Sequence, residues 1–479
     1  MRKMTLGLIV GNRDVFPAEL AKQGREQMIG ILKKEGIDHI VLTPNDTPEG
    51  VVMTWKDAEK CAKLFHDNSS KIDGILVTLP NFGDERAVAD SVKLAGLSVP
   101  VFVHAWPDQV GKFSIEHRRD SFCGKLSVCN NLKQYGIPYS IGKSHVVAPD
   151  SREFSKELRW FVDVCRVVRG LRGARIGSIG ERTTPFKTVR YSEKLLESSG
   201  ISVESKSLVE TVAQINALPD NDPRVESKLA KLTSYLPSTQ AIPGKAMKTT
   251  AKLGVVLESW VDEYTISAYA IQCWSAMQDA LKIFPCSIMS MMNDDRFPSA
   301  CEVDVMGAVA MYALQLAGGG ATSLFDWNNN YGDDPDKAVL FHCSNTAVSF
   351  MKEAKTGLNA MAVRGNPRDS CFCTLHGALK PGPVGWARFS TDDEKGRIVG
   401  CIGDGDITDE TVPTFGTTGV MKMPNMQKFL HFLTANGFEH HVALTYSPRT
   451  DVLYEGLSKY LGWKIYHHNG EDRTLFENW

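Results

Sequence analysis

The sequence predicts an α/β fold: two doubly wound parallel-sheet domains followed by a C-terminal β-rich domain of the α+β type. The first two domains are predicted because near-continuous apolar strands alternate with amphipathic helices from residue 1 and again from about residue 172. The third is predicted because short Gly- and Pro-rich runs, such as GRIVGCIGDGDI, follow from about residue 351 and indicate antiparallel pairing. We therefore expect domains over residues 1–171, 172–350 and 351–479.

The first domain begins with the apolar strand MTLGLIV. Helices and strands then alternate as PAELAKQGREQMIGILKKEG, HIVLTP, WKDAEKCAKLFHDN, DGILVTLP, ERAVADSVKLAG and PVFVHAW, and a loop entering a further helix follows in RRDSFCGKLSVCNNLKQYG. Loops after parallel strands line the crevice in which ligands bind. Arg13, in the loop after the first strand, is therefore a candidate ligand-binding residue. The alternative is that it merely pairs with Asp14 at the surface, which would contribute little to stability.

The second domain begins with strand GARIGSIG. We predict helix SEKLLESSG, a strand and a helix in ISVESKSLVETVAQINAL, strand LGVVLESW, and one long helix in DEYTISAYAIQCWSAMQDAL. Helix CEVDVMGAVAMYALQL and the strands TSLFD and AVLFH end it. The turn Gly177-Ser178-Ile179-Gly180 has neither the G-x-G-x-x-G pattern nor a P-loop lysine, so a tight turn explains it better than a phosphate site does.

The third domain holds the short strands around TLHGALKPGPVGWARFS, then helix QKFLHFLTANG and strand HVALTYS. Across the whole chain the net charge is -2 and the pI is about 6.6, so no broad attraction to nucleic acid or to anionic membranes is expected. The eleven cysteines show no paired spacing, and no apolar run reaches the ~18 residues of a membrane span. We expect a cytoplasmic protein.

Four residues of the second half form a candidate set of metal ligands: Glu302, Asp326, His342 and His441. Two carboxylates and two imidazoles suit Mn²⁺, Co²⁺, Fe²⁺ or Mg²⁺ better than a metal that prefers thiolates. Each residue also has an ordinary explanation. A Glu at a helix start stabilises the helix dipole, an Asp before Trp-Asn-Asn-Asn orders a turn, and a His at a strand end is commonly a half-buried structural residue.

The segments that carry these residues, CEVDVMGA, FDWNNN, FHCSN and HHVALTYS, resemble in this order the metal-binding segments of the L-fucose isomerase and L-arabinose isomerase family. NRDVFP, RRDSFCGKLS and YAIQCWSA resemble other motifs of its fucose-isomerase-like branch. The resemblance covers nearly the whole chain. It implies a Mn²⁺-type metal, aldose–ketose isomerisation of a free sugar, a C-terminal domain that closes the site, and a homo-oligomer, usually a hexamer. In that assembly the N-terminal domain of one subunit reaches the site of another.

By the same resemblance, Glu302 and Asp326 are metal-binding carboxylates that also transfer protons through an enediol(ate), and His441 and His342 are further ligands. By this resemblance, an Asp at position 326 is typical of fucose-type sites, whereas a His at position 342 is typical of arabinose-type sites. The substrate is therefore open between L-fucose, L-arabinose, a related deoxy sugar and, as handled elsewhere in the branch, sulfoquinovose (6-deoxy-6-sulfoglucose). The predicted substrate-binding residues are Arg13, Gln272, Trp274 and Trp327, and His376 is a weaker candidate.

Two other classes of function stay open at this point. Paired α/β domains also build non-catalytic sugar-binding proteins, but such a protein has no need for two carboxylates at a metal. A nicotinamide-dependent dehydrogenase is disfavoured because the glycine fingerprint is missing, and the sequence predicts no organic cofactor.

Overall fold

A computed structural model describes residues 3–365 and 367–468. The chain forms two compact units. The first comprises the residues up to Arg169 together with Glu455–Gly462, and the second comprises the rest of the described chain. Within the described ranges, every helix is too short or too polar to cross a membrane.

The first unit is built on a parallel sheet. Its strands are β1 (Thr5–Val10), β2 (Asp38–Val41), β3 (Gly74–Leu79), β4 (Val101–Ala105) and β5 (Ser140–Ile141). Its helices are α1 (Ala18–Lys34), α2 (Trp55–Asp67), α3 (Glu85–Ala95), α4 (Ser121–Gln134) and α5 (Arg152–Arg172). The strand order β2-β1-β3-β4-β5 is doubly wound, as predicted. Strand β3 is buried along its whole length, which explains its unbroken apolar run.

The second unit begins with a second parallel sheet. Its strands are β6 (Arg175–Ile179), β7 (Ser202–Lys206), β8 (Ala268–Ile271) and β9 (Ser299–Cys301), in the order β7-β6-β8-β9. Its helices are α6 (Glu193–Ser198), α7 (Leu208–Ala217), α8 (Pro223–Tyr235), α9 (Gly244–Tyr264), α10 (Ala276–Leu281), α11 (Cys286–Asp294) and α12 (Val305–Gly318). The strand order reverses between β6 and β8, which makes this the topological switch point of the sheet.

Two predictions in this region are wrong. The segment LGVVLESW is not a strand but part of α9, because its buried residues follow the helical spacing i, i+3, i+4, i+7: Leu253, Val256, Leu257 and Trp260. The segment predicted as one long helix contains strand β8 and helix α10 instead. Strand β8 is fully buried, and a strand buried on both faces gives a continuous apolar run without alternation.

The remaining strands form a mixed nine-stranded sheet, so the predicted β-rich C-terminal region is confirmed. They are β10 (Ser323–Asn330), β11 (Lys337–His342), β12 (Lys355–Gly357), β13 (Thr374–Ala378), β14 (Gly382–Asp392), β15 (Arg397–Ile407), β16 (Thr417–Lys422), β17 (His441–Thr445) and β18 (Lys464–His468). Helices α13 (Met426–Ala435) and α14 (Thr450–Tyr454) belong to the same region.

The order of this sheet is β12-β13-β16-β11-β10-β17-β14-β15-β18. Strands β10 and β11 therefore belong to it, although they precede residue 350 and the sequence grouped them with the second α/β domain. The domain limits 1–171, 172–350 and 351–479 stay predictions. The order matters for the site, because it makes β11, β10 and β17 neighbours.

Candidate metal centre

Sheet register brings two of the predicted ligands together. Asp326 lies within β10, and the antiparallel register pairs it directly with His441, the first residue of β17. Residues directly opposite each other in such a pair project from the same face of the sheet. His342 ends β11, the other neighbour of β10, and its Nδ1 lies 3.9 Å from Asp326 Oδ1. Three of the four candidate side chains thus come from three adjacent strands.

Glu302 reaches the same place from the parallel sheet. It lies in the turn between β9 and α12, and Glu302 and Val303 both adopt left-handed backbone conformations with φ of 63° and 58°. This conformation is unfavourable for a β-branched residue such as Val303, and strain of this kind is concentrated at functional sites. The turn ends at Asp304, which caps α12 by accepting a hydrogen bond from the Gly307 amide at 2.9 Å. Glu302 therefore precedes the helix that the sequence predicted it to open.

The donor atoms near His441 have the chemistry that a divalent cation needs. His441 Nε2 lies 3.0 Å from Glu302 Oε2 and 3.5 Å from Asp326 Oδ1. Even so, His441 Nε2, Asp326 Oδ1 and His342 Nδ1 are buried atoms without hydrogen-bond partners. Ligands at about 2.1 Å from one octahedral ion lie roughly 3 Å apart and do not hydrogen-bond to one another. Unpartnered carboxylate and imidazole atoms at these spacings are what a cation site requires.

His440 was not predicted from the sequence. The ligand atoms of Asp326, His440 and His441 all lie within 4.8 Å of one another, and His440 Nε2 is 3.9 Å from Asp326 Oδ1. His440 precedes β17, so strand alternation does not turn it to the opposite face from His441. His342 competes with His440 for the remaining position, because its Nε2 lies 3.3 Å from Cys301 Sγ and its unpartnered Nδ1 lies near Asp326. The pair His440-His441 was the one sequence signal that pointed to His440.

A buried network of charged residues contacts His441 through Nδ1, the ring nitrogen opposite the candidate ligand atom Nε2. Asp304 Oδ2 lies 2.7 Å from His441 Nδ1, and Arg388 forms an ion pair with the same Asp304 oxygen. Arg388 also reaches Glu439 at 3.2 Å, and Arg388, Asp304 and His441 are almost fully buried. Ser390 donates a hydrogen bond to Glu439 at 2.6 Å. A carboxylate behind a ligand histidine sets its tautomer and ring orientation.

The network also fixes the charges of the site. Burial alone would raise the pKa of Asp304, but the charge of Arg388 and the contact with His441 hold it well below its usual range. Burial likewise favours a higher pKa for Glu302 and Asp326, and the neighbouring imidazoles outweigh it and lower both pKa values. Burial would lower the pKa of His441, but the carboxylates of Asp304 and Glu302 raise it to about 10. Both candidate catalytic carboxylates are therefore ionised in the folded protein.

Aromatic rings border the site on one side. Trp274 donates its indole N–H to Glu302 Oε1 at 3.0 Å. Phe186, which the sequence did not single out, lies edge-on to Trp274 at 6.1 Å and packs against His440 and His441 at 5.5 and 5.6 Å between ring centroids. This wall gives Trp274 the position expected of a pocket residue.

Trp327 has a different environment. Its ring packs edge-on against Trp386 at 5.7 Å and Phe429 at 5.6 Å. As the neighbour of Asp326 on β10, Trp327 projects from the opposite face of the strand. These contacts indicate a role in the core, and substrate binding by Trp327 stays a prediction that they do not support. His376 also has a structural role, because its Nδ1 accepts the Gly416 amide at 2.8 Å.

Gln272 and Arg13 are the other predicted substrate-binding residues. Gln272 follows β8 and lines a cavity of about 690 Å³, where its Oε1 accepts the Glu181 amide at 3.0 Å. Arg13, in the first unit, forms an ion pair with Glu85 at 2.5 Å and lies over the Phe82 ring at 4.2 Å. The ion pair of Arg13 is therefore with Glu85 and not with Asp14, the alternative that the sequence suggested. Binding of substrate by either residue stays a prediction.

Comparison with known proteins finds two matching family models, which together cover more than half of the chain. Residues 7–172 match the model described as "Fucose/sulfoquinovose isomerase, N-terminal domain", and residues 340–468 match "L-fucose isomerase, C-terminal domain". A sulfoquinovose isomerase of Priestia aryabhattai is 24% identical over 463 residues, which is 95% of this chain and 97% of that protein. One of Alkalicoccus urumqiensis is 26% identical over 398 residues, 82% of this chain and 85% of that protein.

Among solved structures, an ABC transporter periplasmic solute-binding protein of Actinobacillus succinogenes 130z with bound D-allose aligns with 61% of this chain and 83% of its own. The TM-score is 0.16 at 11% identity, so this likeness bears on neither fold nor function.

Proposed function

The chain belongs to the fucose isomerase family of aldose–ketose isomerases, and on that premise we propose that it converts sulfoquinovose into 6-deoxy-6-sulfofructose. The sequence alone leaves the sugar open between L-fucose, L-arabinose, a related deoxy sugar and sulfoquinovose. Relatives named sulfoquinovose isomerase that align with up to 95% of the chain favour the last. The observation that carries the proposal is the convergence of Glu302 and Asp326 on His441 Nε2, at 3.0 and 3.5 Å.

The family is metal-dependent, and we propose Mn²⁺ as the ion here, with Co²⁺, Fe²⁺ and Mg²⁺ as the alternatives that the same ligand set accepts. Glu302, Asp326 and His441 would hold it, with His440 or His342 completing the set. Once bound, a divalent cation supplies positive charge that stabilises an enediolate between C1 and C2. The unpartnered Asp326 Oδ1, His342 Nδ1 and His441 Nε2 atoms support this assignment.

The protein side chains perform the proton transfers. Isomerisation removes the C2 proton of the aldose and returns a proton to C1. The carboxylate that acts as base takes the C2 proton and passes it to O1, and the one that acts as acid takes the proton of the C2 hydroxyl and delivers it to C1, so each must be ionised at rest. Glu302 and Asp326 meet this condition, because the neighbouring imidazoles lower their pKa values. The Trp274 indole N–H fixes Oε1 of Glu302, which limits rotation of that carboxylate during transfer. We therefore propose that Glu302 and Asp326 share the roles of base and acid.

Isomer exchange by the purified protein tests the proposal. Protein stripped with chelator and resupplied with Mn²⁺ is incubated in D₂O with sulfoquinovose, L-fucose, L-arabinose and D-arabinose, and NMR follows ketose formation. We expect sulfoquinovose to be converted with the highest kcat/KM. If only a neutral sugar is converted efficiently, that sugar and not sulfoquinovose is the substrate. Binding without conversion of any sugar would indicate a non-catalytic sugar-binding protein.

Three further proposals concern the cellular location, the assembly and the contacts with the sugar. We propose a cytoplasmic homo-oligomer, a hexamer, whose mass light scattering would measure directly. We also propose that Arg13 and Gln272 bind the sugar. Both side chains carry donors suited to hydroxyl oxygens.

A further inference from the structure

A cavity of about 690 Å³ lies at the carboxyl ends of β6, β7 and β8. This is the switch point of the parallel sheet, where open α/β sheets bind ligands. Gly180, Lys206 and Gln272, each just after or at the end of one of these strands, line it. Val303 lines it too, and the Cα of Val303 is about 3.8 Å from that of its neighbour Glu302. The cavity is therefore lined by the residue that directly follows one proposed metal ligand, Glu302.

The wall of this cavity is rich in cationic side chains. Arg182, Arg190 and Lys206 line it, against the single carboxylate of Glu181 among its described lining residues. Lys206 is buried and is compensated by Glu210 at 2.8 Å. Arg182 and Arg190 differ from Lys206 in this respect. Across the described ranges, neither arginine has a carboxylate within 4.0 Å. The cavity thus offers uncompensated positive charge.

Arg182 is the better placed of the two. It is half-buried, whereas Arg190 is exposed. Its side chain donates one long hydrogen bond, from Nη1 to the Thr183 carbonyl oxygen at 3.4 Å. A guanidinium group presents several N–H donors in a fixed plane, which matches the oxygens of a sulfonate or phosphate. Arg13, by contrast, is already paired with Glu85 at 2.5 Å.

One loop connects this cavity with the metal ligands. Residues 180–192 follow β6, and they carry Arg182 in the cavity wall and Phe186 against His440 and His441. We propose that a substrate with C1 and C2 at the metal ligands reaches this cavity with its opposite end, that the cavity receives the sulfonate group, and that Arg182 is its charged partner. The inference rests on the proposed function, because it names the part of the site that selects the sulfonated sugar.

The test compares two sugars that differ only in the sulfonate: sulfoquinovose and 6-deoxy-D-glucose. Loss of a charge-assisted hydrogen bond weakens binding by about 10- to 100-fold. Arg182→Gln should therefore lower kcat/KM for sulfoquinovose by that factor and leave kcat/KM for 6-deoxy-D-glucose within about twofold of the parent. Arg182→Lys should keep part of the preference, because it keeps the charge but loses the planar fork.

The matched control is Lys187→Gln. Lys187 is a cation of the same loop, but it is exposed and does not line the cavity. It should leave the ratio of the two kcat/KM values unchanged. Circular dichroism and Mn²⁺ affinity confirm that each variant is folded and binds metal.

The outcomes separate the two claims. If the parent protein converts sulfoquinovose and Arg182→Gln leaves its preference over 6-deoxy-D-glucose intact, the assignment of Arg182 is overturned while the proposed function stands. Equal losses on both sugars would also overturn it, since they would indicate a general effect on the site. If the parent protein converts only neutral sugars, the proposed function and the sulfonate site fall together.

Discussion

Asp304 and His441 are 137 residues apart in sequence, and their Oδ2 and Nδ1 atoms lie 2.7 Å apart in the buried interior. Because a carboxylate accepts a hydrogen bond from the ring nitrogen it contacts, Nδ1 stays protonated beside Asp304, and Nε2 is the nitrogen that would bind a cation beside Glu302 and Asp326 once it gives up its own proton. Arg388 holds Asp304 in turn through a buried ion pair. Asp304 is therefore a positioning residue for the proposed metal ligand His441.

We expect Asp304→Asn to lower the affinity for Mn²⁺ by about 10- to 100-fold, the usual cost of losing a partner of a ligand histidine. Isothermal titration and electron paramagnetic resonance measure that affinity. Asp222→Asn is the matched control, because Asp222 caps α8 as Asp304 caps α12 but is not among the candidate ligands or their partners. A variant at Asp304 that loses thermal stability yet keeps parental Mn²⁺ affinity would show that Asp304 serves only the fold.

Removal of metal should abolish isomerisation, and Mn²⁺ should restore it, because the enediolate needs a Lewis acid. His441→Ala should lower metal occupancy, measured by elemental analysis after gel filtration. His431→Ala, a change at a histidine on α13 outside the candidate ligand set, is the control and should keep full occupancy. Full activity in excess chelator with no bound metal would contradict the mechanism.

Glu302→Gln and Asp326→Asn keep side-chain size but remove the ionised carboxylate. Each should lower kcat by at least about 10²-fold, the scale of a general base, and more where metal binding is also weakened. Reaction in D₂O should place deuterium at C1 of the ketose. Complete retention of the original C2 hydrogen in the product would instead indicate a hydride shift.

Arg13→Ala should raise KM and leave Mn²⁺ affinity unchanged, if Arg13 binds the sugar. Loss of its partly exposed ion pair with Glu85 should by itself contribute little to stability. Lys3→Ala removes the exposed pair with Asp38 and serves as the control. Parental KM values for every sugar tested would assign Arg13 to a structural role beside Phe82.

The four ligand candidates could be predicted from the sequence because each lies at or near the end of an apolar run that folds as one element. The residues that orient these candidates could not be predicted in this way. Asp304 shows only the local pattern of a helix cap, and its contact with His441 depends on pairing across distant strands. Phe186 lies in a loop, where the spacing of apolar residues does not indicate which way a side chain points, so its contact with His441 could not be predicted. The strand predicted at LGVVLESW failed because a helix buried on most sides also gives a dense apolar run.

Asp326 faces His441 because β10 and β17 pair in one register. The side-chain period of a strand is two, so a shift by a single residue would turn His441 to the other face and bring a neighbour opposite Asp326. Residues of the two strands can therefore be substituted during evolution. An insertion or deletion of one residue within either strand would break the alignment of Asp326 with His441. The turn at residues 393–396, between β14 and β15, has no such constraint from the ligands, because β15 carries none of them. Variation in chain length within this part of the family should collect in that turn and spare the two strands on which the ligands are aligned.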